Sequence, residues 1–178
     1  MIEEPPSEND TAISSLLDDV PEVLEFESWW CEHGQKGGQK RYLSLSFSAN
    51  LGHVEVLVDD AKAPISIHVL RPGGSGSVIR AWDLYIGATI DILGRPTTLM
   101  AASRRTLSWL DSNAISLWKR KKMLELRLNK FRDRTHQDLE KGLFKRLNEN
   151  NASPGGCISL RRVAELVIGL QKELAILQ

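Results

Sequence analysis

The stretch from Trp82 to Ala101, WDLYIGATIDILGRPTTLMA, decides the fold of this chain. Ile90 and Ile92 alternate with polar residues, which is typical of a strand with one apolar side and one polar side. Gly94 follows this strand and supplies the positive φ that a tight hairpin requires. Pro96 has no N–H to donate, which places the strand it opens at the edge of a sheet. The stretch therefore predicts a β-hairpin with a glycine corner.

The same alternation marks the segments that precede this hairpin. Apolar and polar residues alternate over residues 42–48, 53–58 and 65–70, and residues 78–81 are predicted as a short strand. Six short strands separated by turns indicate an antiparallel meander with one packed face. We expect an α+β fold in which a small antiparallel β-barrel or sandwich is followed by long C-terminal helices.

Two helical segments follow the predicted β-domain, which spans residues 38–110. Residues 111–148 predict a basic amphipathic helix that Asp111 or Ser112 caps. Its apolar side is a leucine stripe of Leu117, Leu124, Leu128 and Phe131, which Leu139, Leu143 and Leu147 continue with a shifted phase. Residues 157–178 predict a C-terminal amphipathic helix with a heptad-like apolar seam, capped by Ser159. The two helices either pair as a hairpin or each pair with a neighbouring protein.

Charge is distributed unevenly along a chain whose net charge is zero over 178 residues. Residues 1–32 contain ten acidic side chains and no Lys or Arg, whereas residues 104–134 contain ten basic ones. Zero net charge argues against a general nucleic-acid binder. The acidic segment, residues 1–37, is expected to be a largely extended N-terminal arm, with residues 33–40 forming a flexible loop.

A basic run with neighbouring aromatic residues is the best candidate for binding a partner. Such a run is either a solvated helix face or a docking surface, and a tryptophan beside cations favours docking to an acidic protein, a phosphate or RNA. The candidate residues of this run are Trp118, Lys119, Arg120, Lys121, Lys122 and Arg127. Trp29 and Trp30 of the acidic segment are further candidates, and they pack either on the β-domain or on another protein.

Residues that carry chemistry are sparse, so the sequence predicts neither an enzyme nor a cofactor or metal site. The four histidines are scattered, and Cys31 and Cys157 have no metal or redox spacing. The glycine-serine loop at residues 73–76 is followed by a strand-like segment and is interpreted as a hairpin loop. The N-terminus has no features of a signal peptide and no apolar run reaches bilayer length, so a soluble protein of the cytosol or cytoskeleton is expected.

The predicted β-domain also resembles a known family. The motif residues are Asp83, Gly87, Gly94, Arg95 and Pro96, preceded by strand-like segments at residues 41–43 and 53–56. Over residues 38–110 the chain resembles the DM-ten domain of ciliary EF-hand-containing proteins and of a ciliary nucleoside-diphosphate-kinase-like protein. The family has acidic residues and an aromatic after its last strand, whereas this chain has AASRR at residues 101–105.

The resemblance implies a pleckstrin-homology-like domain in a microtubule-associated protein of the ciliary or flagellar axoneme. It implies a non-enzymatic structural component of doublet microtubules, on the luminal wall, that bridges tubulin and other axonemal proteins. An alternative is an adaptor in which the pleckstrin-like domain binds a peptide or, with the basic helix, anionic lipid.

Overall fold

A computed structural model describes residues 7–34, 37–49, 52–59, 61–68, 78–131 and 156–177. Seven strands and three α-helices are present in these ranges, together with a single 3-10 turn at Ala81–Asp83. In chain order they are α1 (Glu8–Ser14), β1 (Val23–Gly34), β2 (Gly37–Ser48), β3 (His53–Val58), β4 (Ile65–Ile67), β5 (Thr89–Ile92), β6 (Arg95–Thr98), β7 (Ala101–Ala102), α2 (Arg104–Leu128) and α3 (Leu160–Ile176).

The expected α+β class is confirmed. An antiparallel five-stranded sheet has the order β4-β3-β2-β1-β7, and β5 and β6 form a separate two-stranded sheet. No closed barrel is found among the described strands, which corrects the barrel alternative. The chain divides into a β unit, Asp19–Leu110 with Gly155–Ser159, and a helical unit, Met1–Asp18, Asp111–Pro154 and Leu160–Gln178.

The long hairpin of β1 and β2 organises the β unit. The two strands pair from Val23↔Ser48 to Gly34↔Gly37, so every residue of β1 has a partner on β2. Apolar residues of the two strands meet across the buried face, for example Leu24 opposite Phe47. Burying such side chains stabilises the sheet by about 1.5–3 kcal/mol each.

This hairpin corrects two expectations from the sequence. Residues 23–34 belong to the sheet and not to an arm that ends at residue 37, because Leu24 and Phe26 alternate with glutamates and cover the core. The segment at residues 33–40 is not a loop of eight residues, because β1 ends at Gly34 and β2 begins at Gly37.

The first residues of the chain that the structure describes are helical rather than extended. In α1, the Asp10 backbone N–H donates to Ser7 Oγ at 3.1 Å, which caps the helix. Asp10 and Ile13 are buried, and Asp10 Oδ1 lies 2.8 Å from Arg161 Nη2 on α3. The expected arm is thus tied to the helical unit at this point.

The glycine corner has the predicted geometry. The turn between β5 and β6 consists of Leu93 (φ 54°) and Gly94 (φ 77°), and two positive φ values match the twist of a tight hairpin. Asp91 Oδ1 accepts a hydrogen bond from the Gly94 N–H at 2.8 Å. Pro96 lies opposite Asp91 in this two-stranded sheet. Both strands of such a sheet are edge strands, so the proline removes no hydrogen bond from a central strand.

The other motif residues form the start of the same region. Asp83 Oδ2 accepts from the Arg80 N–H at 2.9 Å, and this bond closes the 3-10 turn. The turn replaces the strand expected at residues 78–81, of which Val78 alone forms a bridge. Gly87 (φ 96°) donates its N–H to the Leu99 carbonyl at 2.8 Å, which joins the two ends of the hairpin.

Helix α2 begins at Arg104, earlier than the caps expected at Asp111 and Ser112. Ser103 Oγ accepts a hydrogen bond from the Thr106 N–H at 3.3 Å and also lies 3.0 Å from Thr106 Oγ1. A serine whose oxygen accepts from the amide three residues later is an N-cap. The basic residues after β7 therefore form the first turn of α2.

The chain returns to the β unit at Gly156. Its carbonyl accepts from the Ile86 N–H at 2.8 Å, and its φ is 72°. A Cβ at this position would lie 2.7 Å from Leu107 Cδ2, so a side chain would force the neighbours apart. Gly156 therefore meets both a conformational and a steric requirement.

We predict that Gly156→Ala destabilises the chain by about 2–4 kcal/mol, because it adds both backbone strain and overpacking. Gly94→Ala is the matched control, since its φ is also positive but a Cβ there meets nothing within 4 Å. That control should cost only about 1 kcal/mol. Urea unfolding measures both values, and equal losses would contradict the steric argument.

We predict that Asp10→Asn destabilises the helical unit by about 3 kcal/mol, because the buried Arg161 loses the carboxylate that lies 2.8 Å away and keeps the more distant Glu165 at 3.9 Å. Arg161→Met removes the buried cation, so the double variant Asp10→Asn/Arg161→Met should recover much of the loss. Circular dichroism during urea unfolding measures the coupling. Strictly additive losses would show that the pair makes no contribution.

Candidate docking surface

Helix α2 separates its side chains into a buried stripe and an exposed face. Leu117 and Leu128 of the predicted leucine stripe are buried, whereas Leu124 is half-buried and Phe131, beyond the helix end, is exposed. The remaining leucines predicted for this stripe, at positions 139, 143 and 147, lie outside the described residues. The stripe fixes which side of α2 faces the interior.

Lys121 does not belong to an exposed basic surface, which corrects its place among the candidate residues. It is buried because it lies one helical turn after Leu117 and one heptad before Leu128, on the inward side. Its ammonium pairs with Glu125 and lies 5.1 Å from the centre of the Trp118 ring. Trp118 is half-buried in this contact, and its role is therefore packing around an internal cation.

The exposed face of α2 combines cations with apolar side chains. Apart from the adjacent Lys122 and Met123, its residues recur at intervals of three and four and therefore lie on one side of the helix: Ile115, Lys119, Lys122, Met123 and Leu126, followed by Lys130 just beyond the helix end. We call this set the α2 face. Arg120 and Arg127, one heptad apart and both exposed, line one side of it.

The apolar members of the α2 face are open to solvent. Met123 is 56% exposed and Leu126 is 59% exposed, although both are large hydrophobic side chains. Neither carboxylate of α2 is exposed: Asp111 and Glu125 are both half-buried, and Glu125 pairs with Lys121. A surface with one sign of charge and exposed apolar groups fits an acidic partner that also offers apolar contact.

Trp30 is part of the internal packing of the β unit. Its Nε1–H donates to Thr97 Oγ1 at 2.7 Å, and the Arg95 guanidinium lies 5.0 Å from the centre of its ring. Nearby, Ser28 Oγ donates to the Thr98 carbonyl at 2.6 Å. These bonds fasten β6 to β1, so the motif residue Arg95 and the candidate residue Trp30 meet in a structural contact.

Trp29 lies on the opposite face of β1. It is 37% exposed and pairs across the strands with Tyr42, which is 63% exposed. Lys40 Nζ lies 5.2 Å from the centre of the Trp29 ring, which stabilises the pair without covering it. Of the two predicted tryptophans, Trp29 is exposed and Trp30 is half-buried.

The half-buried carboxylate of Asp59, just after β3, holds this strand end beside Tyr42. Asp59 Oδ2 lies 2.9 Å from Arg41 Nη1, and Asp59 Oδ1 accepts from the Tyr42 N–H at 2.9 Å. The hydrogen bond from Arg41, and next that from the Tyr42 backbone, hold the pKa of Asp59 below its usual range. This carboxylate supports the turn.

The described residues contain no group of three or more His, Cys, Asp or Glu side chains arranged to hold a metal ion. His53 and His68 come together, with ring centres 6.4 Å apart, and His53 Nε2 lies 3.7 Å from Glu55 Oε1. The glycine-serine loop at residues 73–76 lies outside the described residues. Cys31 and Cys157 are both exposed, and neither forms a disulfide.

Comparison with protein-family models and with curated proteins found no match for this chain. Function must therefore be argued from its own surface. None of the helices that the structure describes combines the length and apolar character needed to cross a bilayer.

The sequence pattern missed the apolar half of the candidate surface. Ile115, Met123 and Leu126 lie among the cations at helical spacing, so a projection of residues 111–131 on a helical wheel would have found them. The leucine stripe and the run of cations are the more prominent patterns in the same segment. The α2 face retains Lys119 and Lys122 of the candidate residues, with Arg120 and Arg127 beside it.

We predict that Trp30→Phe destabilises the β unit by about 1–2 kcal/mol, because the buried Thr97 Oγ1 loses the hydrogen bond that the Trp30 Nε1–H donates to it. Trp29→Phe is the matched control and should change stability by less than about 0.5 kcal/mol, since its ring faces solvent. Urea unfolding measures both. A larger loss for Trp29→Phe would contradict these assignments.

Proposed function

We propose that this chain is a non-enzymatic structural component of ciliary or flagellar doublet microtubules. Its β unit would be a pleckstrin-homology-like DM-ten domain, and the chain would bridge tubulin and neighbouring axonemal proteins in the cytoskeleton. The resemblance at residues 83–96 supports the cellular setting. The α2 face supports the binding role, and it is the single observation that carries the proposal.

The charge of the α2 face limits the partner that it fits. Five exposed cations lie on or beside it, and the two carboxylates of α2 are both half-buried. An acidic surface is therefore favoured, while like-charged surfaces are rejected. Exposed Met123 and Leu126 add apolar contact, which a purely electrostatic attraction would not provide.

The binding test is co-sedimentation of the full chain with polymerised tubulin. Reversing the charge of Lys119, Lys122 and Lys130 to Glu together should weaken binding by roughly tenfold or more, because three exposed ion pairs at about 0.5 kcal/mol each are lost. Added salt should weaken the wild-type complex as well.

The matched control reverses Lys40, Lys62 and Lys172 to Glu. These three cations are also exposed and none of them lies on α2, so the net charge changes by the same amount while the α2 face is unchanged. Binding of this variant should stay close to that of the wild type. Equal loss in both triple variants, or no binding by the wild type at low salt, would contradict the proposal.

A second candidate function is an adaptor that binds anionic lipid. The α2 face favours it too, because a helix with cations and exposed apolar side chains suits the interface of an anionic membrane. Flotation with phosphatidylserine vesicles separates the candidates. Binding to vesicles but not to microtubules would favour the adaptor.

A further inference from the structure

Helix α3 carries a second apolar pattern on the side opposite its buried face. The buried face consists of Leu160, Val163, Ala164, Val167, Ile168 and Leu174, with Arg161 beside them. On the other side, residues recur at intervals of four, three, four and three: Arg162, Leu166, Gly169, Glu173 and Ile176. We call this second set the α3 seam. Its spacing is that of the a and d positions of a coiled coil.

The α3 seam is exposed where it is most apolar. Ile176 is 84% exposed and Leu166 is 47% exposed. A Cβ built at Gly169 would meet nothing within 4 Å, so the middle of the seam is an open and shallow site. The small residue allows another helix to approach closely, and the large apolar side chains on either side of it provide the contact.

We propose that the α3 seam binds the α3 seam of a second copy of this chain, with the two helices antiparallel. In an antiparallel pair, each a position of one helix lies beside a d position of the other. The register that pairs the seam charges places Arg162 beside the partner's Glu173 and Leu166 beside the partner's Gly169. In this register Leu166 lies in the middle of the pair, and Ile176 lies at its end beside the partner's Ser159.

The charges of the seam select this arrangement. Arg162 and Glu173 have opposite signs and change places between the two copies, so the symmetric dimer contains this ion pair twice. A parallel pair in register would instead place Arg162 beside Arg162 and Glu173 beside Glu173. Like charges at such positions are destabilising.

The side chains that flank the seam are complementary in the same register. Glu165 and Lys172 lie one heptad apart beside the seam, and the antiparallel arrangement brings Glu165 of one copy to Lys172 of the other. Lys172 is exposed and the Glu165 side chain is 45% exposed, although Glu165 Oε1 also lies 3.9 Å from Arg161 Nη1. Core and flank therefore favour the same partner.

The expected dimer is weak and reversible. A helix of 17 residues is about 25 Å long, so a single helix pair buries an area at the low end of specific interfaces. The α3 seam shares no residue with the α2 face, and the inference rests on no part of the proposed function.

Sedimentation equilibrium of the full chain over a range of concentrations tests the dimer. The wild type should associate, and Leu166→Glu should be monomeric without loss of helix, because the replaced side chain is 47% exposed and lies in the middle of the proposed pair. Leu126→Glu on α2 is the matched control for an exposed apolar residue and should associate like the wild type. A wild type that stays monomeric throughout, or a dimer that Leu166→Glu leaves intact, would overturn the proposal.

Reciprocal charge reversal tests the antiparallel register. Arg162→Glu and Glu173→Arg should each weaken association on the order of tenfold, since each places two like-charged pairs in the dimer. The double variant Arg162→Glu/Glu173→Arg restores opposite charges and should associate like the wild type. A double variant as weak as the single ones would overturn the register.

Discussion

The pairing of β1 with β2 is the constraint on which the β unit depends. β1 lies between β2 and β7, so it joins the meander of β2, β3 and β4 to the segment that leads into α2. Its buried residues Leu24 and Phe26 face the core. Ser28 and Trp30 donate hydrogen bonds to the last two residues of β6. Without β1, strand β7 would lose its contact with the rest of the five-stranded sheet, and β6 would lose its hydrogen bonds to Ser28 and Trp30.

Local patterns predicted the parts of the fold that depend on local rules. The alternation in β2 and β3 and the positive φ of Gly94 follow from strand periodicity and turn geometry, and both are confirmed. The same alternation is present in β1, where Leu24 and Phe26 alternate with Glu25 and Glu27, but the one-signed charge of this segment favours an extended arm. Charge describes the solvent side of a strand and does not exclude a buried side.

The candidate surface was predictable in charge but not in detail. Four consecutive cations on a helix lie on different sides of it, so packing decides which of them is buried. Lys121 lies on the same side as the leucine stripe and is buried. Two neighbouring tryptophans on a strand must face opposite sides, so Trp29 and Trp30 could not both be surface residues. Helix α2 begins after Ser103, because Ser103 Oγ accepts from the Thr106 N–H. The sequence offers several Ser and Asp residues as caps, and the end of β7 decides which of them is used.

The acidic N-terminal segment thus takes part in the fold, through β1 and through the ion pair of Asp10 with Arg161. The basic segment that contains α2 presents cations on the α2 face. The most direct test of this account is amide hydrogen exchange of the full chain in the absence of partners. Residues 24–32 should be protected to the same degree as residues 41–47, because both strands exchange only when their shared hairpin opens. Exchange of residues 24–32 at the rate of an unfolded chain, with residues 41–47 still protected, would contradict it.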